Sequence, residues 1–198
     1  MKLFLPQLIQ IAQKDRLTLN QLTLLLEGSV GGFTRNDLLT VGTRIRRDSE
    51  IFLPSVLSRT ITELQTRGLM VSTPGSGGSG TVYSLSPAVF APVQYTPAQQ
   101  RLILSMAAAH TLTRASLLVA LQLLVLGRPA TLRYLAQVLT ISPSYLSSHG
   151  VVDRLLALGL ALAVPVGPGT AVTPADPPGI SALELDLAWD SGAVCRFL

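Results

Sequence analysis

The chain has 198 residues, room for one ordinary domain or two small ones. Apolar residues make up 48% and charged residues 13%, so the chain can bury a core and holds more apolar surface than one monomer readily hides. The formal net charge is +4, and its placement matters more than its size. Residues 1–95 hold nine Lys/Arg against six Asp/Glu, residues 96–165 five against one, and residues 166–198 one against four. The body is basic and the tail acidic. A basic body is compatible with nucleic acid. The cations are almost all arginine, with only Lys2 and Lys14 as exceptions, which suits bidentate contacts to phosphate or guanine.

No apolar run reaches the roughly 18 residues of a membrane span. The richest, Ser116 to Gly127, contains Gln122 and lies between Arg114 and Arg128. A buried core or interface helix is expected there. The opening residues lack a signal peptide's long apolar stretch and cleavage site, so a cytoplasmic protein is expected, associated with the nucleoid if DNA is its partner. The single Cys195 cannot form an internal disulfide, which fits a reducing compartment.

In chain order, "FLPQLIQIAQKDR" and "TLNQLTLLLEG" have helical apolar spacing, the second opening on a Thr18 cap. Gly28 and the "SVGG" run end it. "TRNDLLTVGTRI" predicts a shorter helix capped by Thr34. The charged "RRDSE" connects to "LPSVLSRTITELQTRG", a strong helix with Pro54 in its first turn and Gly68 as its stop. Leu57, Ile61 and Leu64 fall on one face, with Val56 beside it. "LMVST" and "TVYSLS" predict a hairpin around a glycine-serine tip.

The same order follows again. "PAQQRLILSMAAAHTL" and "RASLLVALQLLVLG" predict two helices, "TLRYLAQVLT" a short one capped by Thr131, and "SPSYLSSHGVVDRLLALG" one long helix. "LALAVPVGPGTAVTP" predicts a smaller hairpin. Leu64 aligns with Leu155 and Gly68 with Gly159, so the chain reads as a duplication. A proline-rich join spans residues 86–100. The expected fold class is mainly α with small β-hairpins (α+β). Residues 1–90 and 91–178 form two domains, and the acidic tail 179–198 docks on the body.

Helix, short helix, long helix and hairpin make a winged helix-turn-helix. The stretch "SVLSRTITELQTRGLMV", a soft wing and "VYSLSP" resemble the MarR family of DNA-binding transcriptional regulators. Ser58, Arg59, Leu64, Gly68, Leu69, Val71 and Leu85 carry the resemblance. It covers residues 17–87 well and 113–174 loosely. It implies two tandem winged helices and binding of double-stranded DNA. The family usually has one such domain per chain in a homodimer, and many members carry an Asp-x-Arg in the wing that is missing here.

Gly75, Gly77 and Gly80 satisfy the spacing of a dinucleotide-binding loop. Such a loop needs a helix N-terminus after it, whereas here a β-rich segment follows. A wing tip fits better: glycine permits the turn, and Ser76 and Ser79 can hydrogen-bond phosphates. On the long helix, Ser55, Ser58, Arg59 and Thr62 point outward as short hydrogen-bonding groups and one arginine, suited to a major groove. A solvated face has the same composition. Arg44, Arg46 and Arg47 fit phosphate anchoring, or a solvated turn paired with Asp48 and Glu50, and Arg35 is a further candidate DNA contact. The second copy offers Ser144, Ser147, Ser148 and Arg133, and its hairpin has no cation. It reads equally as a DNA contact or as a copy kept for packing or partner binding.

Catalysis has little support. His110 and His149 lack companions at ligand spacing, and Glu184 and Asp186 lie isolated in the acidic tail. No enzyme activity, metal or cofactor is expected. The expected function is double-stranded DNA binding by a transcriptional regulator, through the helix 54–67 and the wing 74–81. The alternative is a protein-interaction or architectural module of a chromosome-organising or replication complex. Homodimerisation is expected through the leading helix and the helix 116–126.

Overall fold

A computed structural model describes residues 4–38, 54–75, 80–91, 94–108, 112–166 and 169–174. Among these residues the chain is mainly helical, with two small antiparallel sheets.

Helix α1 (Phe4–Lys14) buries Phe4, Leu5, Leu8, Ile9 and Ala12, the stripe that helical spacing places on one side. Helix α2 (Leu19–Val30) opens on a reciprocal capping box. The Thr18 side chain accepts from the Gln21 N–H, and the Gln21 side chain accepts from the Thr18 N–H. A third helix, α3, is described over residues 35–38. Its start repeats the device with Thr34 and Asp37, each accepting from the other's backbone N–H.

Helix α4 (Pro54–Thr66) buries Leu57, Thr60, Ile61 and Leu64. It stops at Gly68, whose φ of 69° lies in the left-handed region that a side chain disfavours. The Leu69 N–H returns to the Leu64 carbonyl at 2.9 Å, turning the chain into strand β1 (Met70–Pro74). Strand β2 (Thr81–Leu85) pairs antiparallel with β1, Met70 opposite Leu85 and Pro74 opposite Thr81. Phe33, just before α3, pairs with Tyr83 on the other edge of β2.

The order then recurs. Helix α5 (Pro97–Ala108) follows a Thr96–Gln99 cap, and helix α6 (Arg114–Leu126) follows a Thr113 cap and ends at left-handed Gly127. Strand β3 (Ala130–Thr131) leads into helix α7 (Leu132–Leu139), capped by Thr131. Strands β4 (Ala161–Val166) and β5 (Gly169–Pro174) close the unit in the order β3-β5-β4. Ala130 before α7 faces Val172 on β5 just as Phe33 before α3 faces Tyr83 on β2.

One element departs from the sequence expectation. The single long helix expected across residues 142–159 is two helices, α8 (Pro143–Ser148) and α9 (Val151–Ala157). Gly150 adopts a φ of 58°, which no residue of a continuous right-handed helix adopts. Ser142 caps α8 through the Tyr145 N–H, and His149 stacks on Tyr145 with ring centroids 4.0 Å apart.

The buried apolar side chains form one core cluster that draws on every described helix. Its organisation crosses the halves. Helix α1 packs on α6, α5 packs on α2, and α2 touches α6. The junction is also polar. Arg114 at the start of α6 donates from Nε to the Leu17 carbonyl at 2.6 Å and from Nη2 to the Ala12 carbonyl at 2.9 Å. Burial pushes its guanidinium below the ordinary arginine value. Gln13 donates to the Val138 carbonyl, and the Tyr95 hydroxyl donates to Ser29. Helices α1 and α6, the two expected to supply contacts to a second copy, pack on each other within one chain. The expected docking of residues 179–198 on the body lies outside the described residues. No described helix is long and apolar enough to cross a membrane.

Candidate nucleic-acid interface

The outward ridge of α4 is set by the burial of its opposite face. With Leu57, Ile61 and Leu64 essentially inaccessible, Ser55, Arg59 and Thr62 are exposed and Ser58 is half-buried. The ridge continues through Glu63, Thr66 and Arg67, and Arg59, Thr62, Glu63, Thr66 and Arg67 line one shallow groove. Glu63 and Arg67 were not among the residues expected from sequence. The spacing Arg59, Glu63, Arg67 at i, i+4, i+8 was the signal that placed them on the same face.

The ridge is held from behind. Buried Gln21 donates from Nε2 to a Glu63 carboxylate oxygen at 2.9 Å, so the residue that caps α2 also fixes Glu63. Glu63 lies 3.8 Å from the Arg59 Nε, with the Arg59 side chain 75% exposed. An exposed i,i+4 pair of this kind stabilises by only about 0.3–0.5 kcal/mol, so Arg59 is free to swing to a ligand. Arg67 donates to the Asp15 carbonyl at 3.1 Å, at the end of α1. The hydroxyls of Thr62 and Thr66 donate to the carbonyls of Ser58 and Thr62 at 3.0 and 2.9 Å. Thr62 therefore meets a ligand as an acceptor in this rotamer, while Ser55 has no such bond within the helix.

The hairpin is coupled to this helix. Gln65 on α4 donates to the Ser72 hydroxyl on β1 at 3.1 Å, and the Ser86 N–H returns to the Leu69 carbonyl at 3.0 Å. At the far end the Gly75 N–H meets the Gly80 carbonyl at 2.6 Å, which closes the base of the tip. Ser76 and Ser79 within that tip lie outside the described residues, as do Arg44, Arg46 and Arg47. Exposed Arg35 sits over the Tyr83 ring, its guanidinium carbon 5.8 Å from the centroid. Thr34, Arg35, Asn36, Gly80, Thr81 and Tyr83 line a second depression beside the tip. One arginine is thus carried between the opening of α3 and the hairpin base.

In the second half Ser144, Ser147 and Ser148 are exposed on α8, and Arg133 is exposed on α7. Ser144 is 3.2 Å from the Ser142 hydroxyl, and Ser148 is 2.9 Å from the His149 ring. The break at Gly150 separates these serines from Arg154 on α9. The large apolar side chains exposed among the described residues, Val125, Tyr134, Val138, Tyr145 and Leu162, all belong to this half. Among the described residues no three His, Cys, Asp or Glu side chains gather as a metal site.

Neither a protein-family model, nor a curated protein, nor a solved structure matches the chain. The functional reading rests on the geometry above.

Proposed function

We propose that the chain is a pair of tandem winged helix-turn-helix domains, MarR-like in the first, that binds double-stranded DNA as a transcriptional regulator. The observation that carries this reading is the twice-repeated unit. In each half a capped helix, a further helical segment and an antiparallel strand pair follow in order among the described residues, and the residue before the helix cap pairs with the second of those strands. Helix α4 enters a major groove with Ser55, Ser58 and Arg59 toward the bases. The hairpin 74–81 lies along the adjacent backbone. Arg35, Arg59 and Arg67 supply positive charge on that side, and Glu63 stands between two of them as a local repulsion against misplaced phosphates.

The test is selection of bound duplexes from a random library by the full chain. Enrichment of a defined sequence supports a site-specific regulator, and Arg59→Ala should then weaken the selected site more than random duplex. No enrichment over input removes the reading.

The second reading, a protein-interaction module, is favoured by one observation: the exposed Tyr134, Val138, Tyr145 and Leu162 of the second half. Under that reading the first half alone holds DNA, or neither does, and changes at Ser144 and Ser147 leave DNA affinity unaltered.

A further inference from the structure

The contacts within each half repeat in the other. Helix α2 packs on α4 and β2, and α6 packs on α9 and β5; α4 meets β1, and α9 meets β4. The contacts between the halves are also closed under exchange. Replacing α1 by α5 and α2 by α6 turns the α1–α6 contact into the α5–α2 contact, and leaves the α2–α6 contact on itself. A head-to-tail arrangement of two copies would place α1 on α6 with no return contact from α5 to α2. Contacts that return, with one that is its own counterpart, define an isologous pair related by a two-fold axis. The order of the halves along the chain does not dictate this. A tandem duplication is free to stack in one direction, and the exchanged leading helices show that this one does not.

We infer that the DNA target of one copy of this chain is an inverted repeat of two unlike half-sites, and not a direct repeat. The inference rests on the DNA-binding reading and deepens it. Duplex DNA has local two-fold axes perpendicular to its own, so a protein with two-fold-related reading elements matches half-sites of opposite polarity. Head-to-tail domains would match half-sites of the same polarity. The half-sites are unlike because the reading faces differ. The first presents Ser55, Ser58, Arg59 and Thr62 on an unbroken helix, with Arg35 at the hairpin base. The second presents Ser144, Ser147 and Ser148 on the six-residue α8, with the chain turning at Gly150 before Arg154. A single chain covers both half-sites because its dimer-like interface is internal.

The test uses the full chain and the two unlike half-sites emerging from the library selection, built into duplexes as the first half-site alone, as the pair in inverted orientation (the inverted repeat) and as the same pair in direct orientation (the direct repeat). Affinity is read by fluorescence anisotropy and stoichiometry by sedimentation. The expected result is one chain per inverted-repeat duplex, bound at least about tenfold tighter than the direct repeat or the single half-site. Ser144→Asp with Ser147→Asp, both on exposed positions, should bring the inverted repeat down to the affinity of the single half-site. Equal affinity for direct and inverted repeats, or two chains on each inverted repeat, overturns the inference while leaving the DNA reading in place. Failure to retain any duplex removes both.

Discussion

Arg114→Ala tests the cross-packed core most sharply. The guanidinium joins the start of α6 to the end of α1 through two carbonyls, Leu17 at 2.6 Å and Ala12 at 2.9 Å. A hydrogen bond to a charged group contributes about 1.5–3 kcal/mol. The group is only part-buried, so the low end applies to each bond, and the Ala12 carbonyl keeps the Leu17 N–H as a partner. The expected loss is roughly 2–4 kcal/mol, a large part of the 5–15 kcal/mol that such chains have. At about 2–4 °C per kcal/mol for this size, the Tm should fall by roughly 4–16 °C. Arg114→Lys keeps the charge but has no fork to span both carbonyls, and should lose about half as much. The assay is equilibrium urea unfolding followed by near- and far-ultraviolet circular dichroism. Because one core spans both halves, the two signals should shift together in a single transition. A loss below about 0.5 kcal/mol, or a first half that melts alone while the second stays unmoved, would refute the reasoning.

Further outcomes follow from single residues. Burial raises the Tyr95 hydroxyl above the ordinary tyrosine value near 10, outweighing its bond to Ser29. A raised folded value means that stability is level below the unfolded value and is lost as pH rises through the folded one. Stability should decline above about pH 10, and Tyr95→Phe should flatten that part of the profile measured by urea titration. Gly68→Ala meets no neighbouring atom but forces a side chain to a φ of 69°, and should cost about 1 kcal/mol. At Gly32 an added Cβ would stand 2.6 Å from a Val82 methyl on β2, so Gly32→Ala should cost about 1–3 kcal/mol. Gly31→Ala beside it meets nothing within 4 Å and should be neutral in the same thermal melts.

Local signals were legible because they are carried by neighbours in sequence. Thr18, Thr34 and Thr131 cap the helices they were expected to open, each accepting from the N–H three residues on, at Gln21, Asp37 and Tyr134, since a cap needs only the next three residues. Gly68 and Gly159 both adopt positive φ at the ends expected for the two copies. The inward face of α4 was readable from its period, and the outward residues Ser55, Arg59 and Thr62 followed by subtraction. The break at Gly150 was not readable, because a single glycine within a helical pattern is tolerated at a cost of about 1 kcal/mol and does not by itself mark an end. Nor could an apolar stripe name its partner. The stripes of α1 and α6 read as contacts for a second copy, and the fold packs them on each other, with α6 also meeting α2, α7, α9 and β5. Arg114 looked like a flank of an apolar run, and only the folded chain shows its guanidinium bound to carbonyls 97 and 102 residues away. Composition likewise counts Arg59 and Arg67 as equal charges, while the fold binds one to the Asp15 carbonyl and leaves the other at an exposed ridge.

The central claim is that the α4 ridge, Arg35 and the hairpin engage the DNA backbone and grooves. The most direct measurement is the affinity of the full chain for random duplex across a range of salt concentrations. If several arginines displace counterions, log Kd should rise linearly with log salt, with a slope of about 0.9 per phosphate contacted. Arg35→Ala should lower that slope by about one. Absence of binding at low salt, or binding whose affinity does not change with salt, would contradict the account.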